Sequence, residues 1–157
     1  MRRIDAGHGA RPLPNTLQFM RLLWEVAHGL ERASKRMTVE IGVTGPQRLV
    51  LRIVGLFPGI SAGDLALILR KHPSTVTGVL QRLAAQHLLE RRDDPSDRRR
   101  AVLRLTAKGA RVNAVRSGTV EAAISSVLSG VAARDQVVVR RVLTRLAERL
   151  EPAGDGE

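Results

Sequence analysis

The sequence contains no cysteine and no tyrosine, a single tryptophan and two phenylalanines. Without thiols there is no disulfide, no thiolate metal site, no iron–sulfur cluster and no cysteine redox sensor, so redox chemistry is largely excluded. With aromatics at 2%, a platform that stacks the bases of a single strand is hard to build. Long apolar runs are missing too. Stretches such as residues 65–69 fall far short of the roughly 20 residues that span a bilayer, and residues 1–15 lack the hydrophobic centre of a signal peptide. A cytoplasmic protein with no membrane partner is the expectation. Acidic residues are in deficit, 15 against 26 lysines and arginines, which leaves a net charge of +11.

What is present completes the picture. A chain of 157 residues with 43% apolar residues has the size and composition of one packed domain, so the excess charge decorates a globule and does not signal disorder. A polyanion is the partner such a surface selects, and with so few aromatics duplex DNA is favoured over single-stranded RNA.

The apolar pattern predicts a mainly α fold of about six helices and one hairpin. Residues 1–15 carry Arg2, Arg3 and Arg11 with no apolar period and read as a loose basic arm. Over 16–41, Leu17, Met20, Trp24, Ala27, Leu30, Ala33, Met37 and Ile41 recur every three or four residues, as in a long amphipathic helix. Gly42 supplies a stop, Thr44 suits an N-cap, and Pro46 fits the first turn of a second helix that ends before Pro58. Ser61 caps a short third helix over 62–69, and Pro73 begins a fourth over 73–86 with Val76, Val79, Leu80 and Leu83 facing inward. Strand-like runs at 88–92 and 100–106 flank a charged tip at 93–99. The pattern is then helical to about residue 128 and again over 133–150, with Val139, Leu143, Leu146 and Leu150 in a stripe, and a frayed tail follows from 152.

Helix, helix, turn, helix and hairpin in this order describe a winged helix-turn-helix, whose last helix enters the major groove while the hairpin reaches alongside. The first-turn amides after Pro73 and the positive helix end can face a phosphate, and Ser74, Thr75 and Thr77 are short enough to reach base edges. Gln81 and Arg82 continue that polar face; Lys71 and Arg82 read as phosphate contacts. Taken alone, Ser-Thr before an apolar run is ordinary capping chemistry. At the hairpin tip, Arg98, Arg99 and Arg100 stand where a guanidinium can extend into a narrow, electronegative minor groove, and Asp97 can hold an arginine fork in one geometry. The bland reading of the same residues is a solvated, salt-bridged turn.

The ordered set Ser74-Thr75-Val76-Thr77, Leu83, Leu88-Leu89-Glu90-Arg91, Asp94-Pro95-Ser96-Asp97-Arg98-Arg99 and Leu105-Thr106-Ala107-Lys108-Gly109 resembles the MarR family of bacterial transcription regulators. The resemblance covers about 44–109 by motif. It implies an obligate homodimer on pseudo-palindromic duplex DNA, with a recognition helix in each major groove and a wing in each minor groove. It implies, further, that Arg99 is the groove-inserting arginine and Asp97 its partner. The corresponding division is an N-terminal dimerisation helix at 16–43, a DNA-binding lobe at 44–106 and C-terminal dimerisation helices at 107–151. Three positions depart from the family pattern: Gly78 stands where a larger, often basic residue is common, His87 where glycine usually closes the recognition helix, and Arg100 where a small residue is usual. Gly78 is either a tolerated weakness in the helix or a place where the backbone approaches DNA closely.

The dimer has support from the residues as well. The stripes of the first and last helices exceed what one small winged module needs to cover itself, although packing of these two helices on each other would also hide them. Relatives often bind small aromatic or phenolic effectors between the lobe and the dimerisation helices, which makes Trp24 and His28 candidate ligand contacts; the competing reading is interface packing for Trp24 and a surface position for His28. No cofactor or metal is implied. The four histidines, His8, His28, His72 and His87, have no metal-ligand spacing, and no acid–base constellation, phosphate loop or exposed nucleophile motif appears, so an enzyme is not expected. The other rival is an architectural DNA-binding protein indifferent to sequence, since net charge alone gives strong non-specific affinity. The favoured reading is a DNA-binding transcription regulator, and what the resemblance implies is a repressor that an effector or partner releases by altering the spacing of its two lobes, with constitutive binding as the alternative.

Overall fold

Capping chemistry sets most of the element boundaries. In the computed structural model, which describes residues 13–93 and 101–151, the described residues form seven helices and one antiparallel hairpin: α1 (Asn15–Ile41), α2 (Gly45–Leu56), α3 (Ala62–Leu69), α4 (Pro73–Ala85), β1 (Leu89–Asp93), β2 (Ala101–Leu105), α5 (Ala107–Ala114), α6 (Val120–Leu128) and α7 (Ala133–Leu150). Helix α1 stops at Gly42, which adopts a left-handed φ of 74°. Thr44 and Gln47 form a reciprocal capping box at the start of α2, followed by Pro46 in the first turn. Ser61 accepts from the Asp64 amide to start α3.

The core lies in the lobe that α2, α3, α4 and the hairpin enclose. Val50, Leu51 and Val54 of α2 meet Leu65 and Ala66 of α3, Val76, Leu80 and Leu83 of α4, and Leu88, Leu89 and Leu103 beside or within the strands. Each such valine or leucine contributes roughly 1.5–3 kcal/mol when fully buried, so this cluster fixes the lobe's shape. The hairpin pairs Leu89 with Leu105 through to Asp93 with Ala101. A third segment, which the apolar pattern does not announce, lies against β2: Leu103 donates to Ile60 O, Gly59 donates to Leu103 O, and Ser61 bridges Val102. The wing is thereby stitched to the α2–α3 connection.

The structure departs from the sequence reading after β2. In place of one helix to about residue 128 there are two, α5 and α6, because Val115 turns extended, Gly118 takes a φ of 72° and Thr119 caps a new helix by accepting from the Ala122 amide. The periodicity persists on both sides of the break, which is why it reads as continuous. Outside the lobe, burial is sparse. Met37 is the buried residue of α1, while α6 and α7 bury none. Leu17, Met20, Trp24 and Leu30 on α1, Ile124 and Val127 on α6, and Val139, Val142, Leu143 and Leu150 on α7 are all exposed. Among the described residues no helix is long and apolar enough to cross a membrane.

Candidate nucleic-acid interface

Helix α4 packs with one face only. Val76, Leu80 and Leu83 are buried at spacings of four and three residues, which turns Ser74, Thr75, Thr77, Gln81 and Arg82 outward, and all five are exposed, as is Pro73 at the first position. The positive end of this helix is likewise open. His72 serves as N-cap, its Nδ1 accepting from the Ser74 amide at 3.3 Å and lying 2.7 Å from Ser74 Oγ. This role escaped the sequence reading because histidine is not among the usual capping residues. Thr77 Oγ1 donates to Pro73 O at 2.9 Å and Arg82 Nε to Gly78 O at 3.1 Å, so both side chains are held along the outward face.

Gly78 sits in the middle of that face, one helical turn from Ser74, Thr75, Gln81 and Arg82. A Cβ built there would meet only Arg82 Nη2, at 3.7 Å, an ordinary contact. Packing within the chain therefore does not require glycine at 78.

The turn that delivers α4 is set by Arg70, a non-glycine residue at φ 50°, and by the amides of Arg70 and Lys71 closing on Leu67 O and Ala66 O. Arg70 lies 3.3 Å from Glu148 and Lys71 3.8 Å from Glu151, at the end of α7. These are exposed pairs of the kind that contribute about 0–1 kcal/mol, so Lys71 stays exchangeable with another anion such as a phosphate.

Behind α4, the run Leu105-Thr106-Ala107-Lys108-Gly109 acquires a physical reason. Thr106 Oγ1 accepts from the Gly109 amide and donates to His87 O at 2.7 Å; Lys108 Nζ donates to Gln86 O at 3.0 Å; Gly109 lets α5 press its backbone against Leu88. The start of α5 thus clamps the end of α4. His87 closes that helix at φ 56°, the left-handed region in which a side chain costs about 1–2 kcal/mol. The side chain of His87 is exposed, so His87→Gly is expected to raise the unfolding free energy by about 0.5–1 kcal/mol once the extra freedom of glycine in the unfolded chain is subtracted. Urea denaturation checks this; a lowered midpoint would mean that the imidazole holds the turn.

The residues of the wing tip, Asp97, Arg98 and Arg99, lie outside the described residues, as does Arg100. The described base of the wing is cationic, with Arg91, Arg92 and Arg104 exposed and Arg104 paired across the strands with Glu90. Trp24 and His28 share a face of α1. Trp24 is 59% exposed, and His28 Nδ1 lies 3.9 Å from Glu31 on the same helix. Neither lines the cleft of about 600 Å³ between α3 and the start of α4, or the groove of about 330 Å³ between Leu69 and α7.

The sequence reading also missed Arg48. It is 1% exposed and is the one charged side chain among the described residues to be buried. Its guanidinium donates to Val112 O, Asn113 O and Val115 O at the end of α5 and to Glu121 in the first turn of α6. Burial pushes the Glu121 carboxyl upward, but hydrogen bonds from Arg48, the backbone and Thr119, with the Arg48 charge, outweigh it and hold the group below the usual carboxylate range. An arginine at a core-facing position of α2 offers no sequence signal of its partners, which come 64 to 73 residues later.

Residues 41–100 match the MarR family's sequence profile. Among solved structures, the chain is similar to the PcaV transcriptional regulator of Streptomyces coelicolor in complex with its natural ligand, at 27% identity and a TM-score of 0.65 over 96% of this chain and 100% of that one. It shares its fold with the MepR–DNA complex of S. aureus (19% identity, TM-score 0.67, 85% of this chain and 98% of that one). The same holds for FabT of Streptococcus pneumoniae in complex with DNA (19%, 0.66, 87% and 98%). No curated protein matches the sequence. With its winged lobe and the clamped end of α4, the chain is similar over residues 41–100 to the MarR family and has the winged helix-turn-helix fold of the transcription regulators above.

Proposed function

We infer that the protein binds pseudo-palindromic duplex DNA as a homodimer and acts as a repressor, with α4 of each subunit in a major groove and each wing tip in the adjacent minor groove. The observation that carries this is the one-sided packing of α4, which leaves Ser74, Thr75, Thr77, Gln81 and Arg82 on a single solvent-facing surface around Gly78. Lys71 and Arg82 contact phosphates, Ser74, Thr75, Thr77 and Gln81 face base edges, and the side-chain-free Gly78 lets the helix backbone come close. Asp97 orients the arginines of the wing, Arg98 and Arg99. Residues 44–106 form the DNA-binding lobe; 16–43 and 107–151 dimerise; 1–15 and 152–157 flank them.

The dimer is supported by the exposed apolar residues of α1, α6 and α7, helices that bury almost nothing within one chain. Apolar surface on this scale is characteristic of an interface. Two-fold symmetry places the recognition helices about 34 Å apart, one turn of B-DNA. A small aromatic or phenolic effector that favours a different spacing, held near Trp24 and His28, releases the DNA by population shift.

Competition binding tests the reading. A duplex selected by the protein from a random-sequence library is expected to bind about a thousandfold more tightly than bulk duplex at the same salt. Equal affinity would instead identify a sequence-tolerant architectural protein, as the net charge of +11 on its own would allow.

A further inference from the structure

Arg48 belongs to the lobe through α2, yet everything its guanidinium touches lies in the segment that leads away from the lobe. The break between α5 and α6 leaves the last carbonyls of α5 without the amides that a continuing helix would supply. Arg48 supplies donors to two of them, Val112 and Asn113, and to the cap residue Val115, and reaches across the break to Glu121 with its Nε at 2.7 Å. Arg52, one turn on, repeats the pattern: its Nη1 donates to Asn113 O at 3.3 Å and Oδ1 at 3.0 Å, and its Nε lies 3.8 Å from Glu121. The positive guanidinium therefore meets the negative end of the α5 dipole, while the Glu121 carboxylate sits at the positive end of α6, so one ion pair complements both helix ends.

We propose that Arg48 and Glu121 are positioning residues for DNA recognition: the pair that buried Arg48 makes with Glu121 locks the α5–α6 joint and so sets the angle between the winged lobe and α6–α7, without either residue touching DNA. This rests on the proposed function, because the angle matters for binding only if α6 and α7 hold two lobes in register. A buried, multiply bonded arginine suits such a lock. Its donors are fixed in one plane, so they are satisfied together in one arrangement of the two helices and lost together in another.

The test uses the full chain carrying Ala85→Cys on α4 and Arg140→Cys on α7, both at exposed positions. With no native cysteine, spin labels attach only there. Labelled protein diluted into unlabelled protein reports the distance within one chain. The parent is expected to give one narrow distance distribution. Glu121→Ala and Arg48→Lys are expected to widen it about twofold and to lower affinity for the selected duplex about tenfold, with affinity for bulk duplex unchanged. Glu121 is partly exposed and alanine favours helix, so this variant folds even where a change at Arg48 does not. A distribution in folded Glu121→Ala as narrow and as centred as the parent's overturns the proposal. Undiluted, singly labelled protein tests the dimer separately: loss of the signal between chains would remove the dimer and leave the intrachain result to judge the lock.

Discussion

Arg99→Ala is expected to weaken the complex with a selected duplex about 10- to 100-fold and to weaken binding to bulk duplex far less. The first figure corresponds to roughly 1–3 kcal/mol for an arginine fork that reads a groove; the second follows because a single phosphate-level attraction is shared among many cations. Arg99 comes two positions before Ala101, which is paired with Asp93 at the end of the described hairpin. Asp97→Ala should move affinity in the same direction but less, since it frees the fork without removing it. Unchanged affinity for the selected duplex after Arg99→Ala, measured by fluorescence anisotropy at fixed salt, would take the wing out of recognition.

Gly109→Ala is the second large effect, and it falls on stability. A Cβ at 109 would lie 1.9 Å from Leu88 O and 2.9 Å from Leu88 C. Both are backbone atoms at the junction of α4 and β1, so no side chain can swing aside, and α5 has to lift from the strand. Overpacking of this sort costs about 3 kcal/mol, a large share of the stability of a small domain. Lifting α5 also strains the bonds from Thr106 to His87 O and from Lys108 to Gln86 O, so DNA binding should fall together with the denaturation midpoint. Gly63→Ala is the internal control: its Cβ would meet only Ser61 Oγ, at 3.8 Å, and the midpoint should hold or rise. Equal midpoints for the two variants would mean that the contact with Leu88 relaxes freely.

These two sites differ in how visible they are from the residues alone. The wing arginines stand out because charge, turn chemistry and sequence order coincide there. The necessity of Gly109 shows only in space, because what excludes a side chain is a carbonyl 21 residues earlier in the chain. His87 lies between these cases. Its departure from the family pattern is legible, and the positive φ supplies the reason that glycine is usual.

Local rules were sufficient wherever a residue acts on its immediate neighbours. Thr44 and Ser61 as caps, the proline that opens α4 and the alternation of β2 each announce their element, because caps, ring constraints and pleats operate over a few bonds. The outward face of α4 was determined in the same way, by the apolar residues that occupy its other side. Tertiary structure alone decided the break between α5 and α6, the addition of the Ile60 segment to the wing, and the burial of Arg48 against α5 and α6. In each of these a backbone group gives up a local partner for one far along the chain, and no periodicity in the sequence records where that distant partner will be.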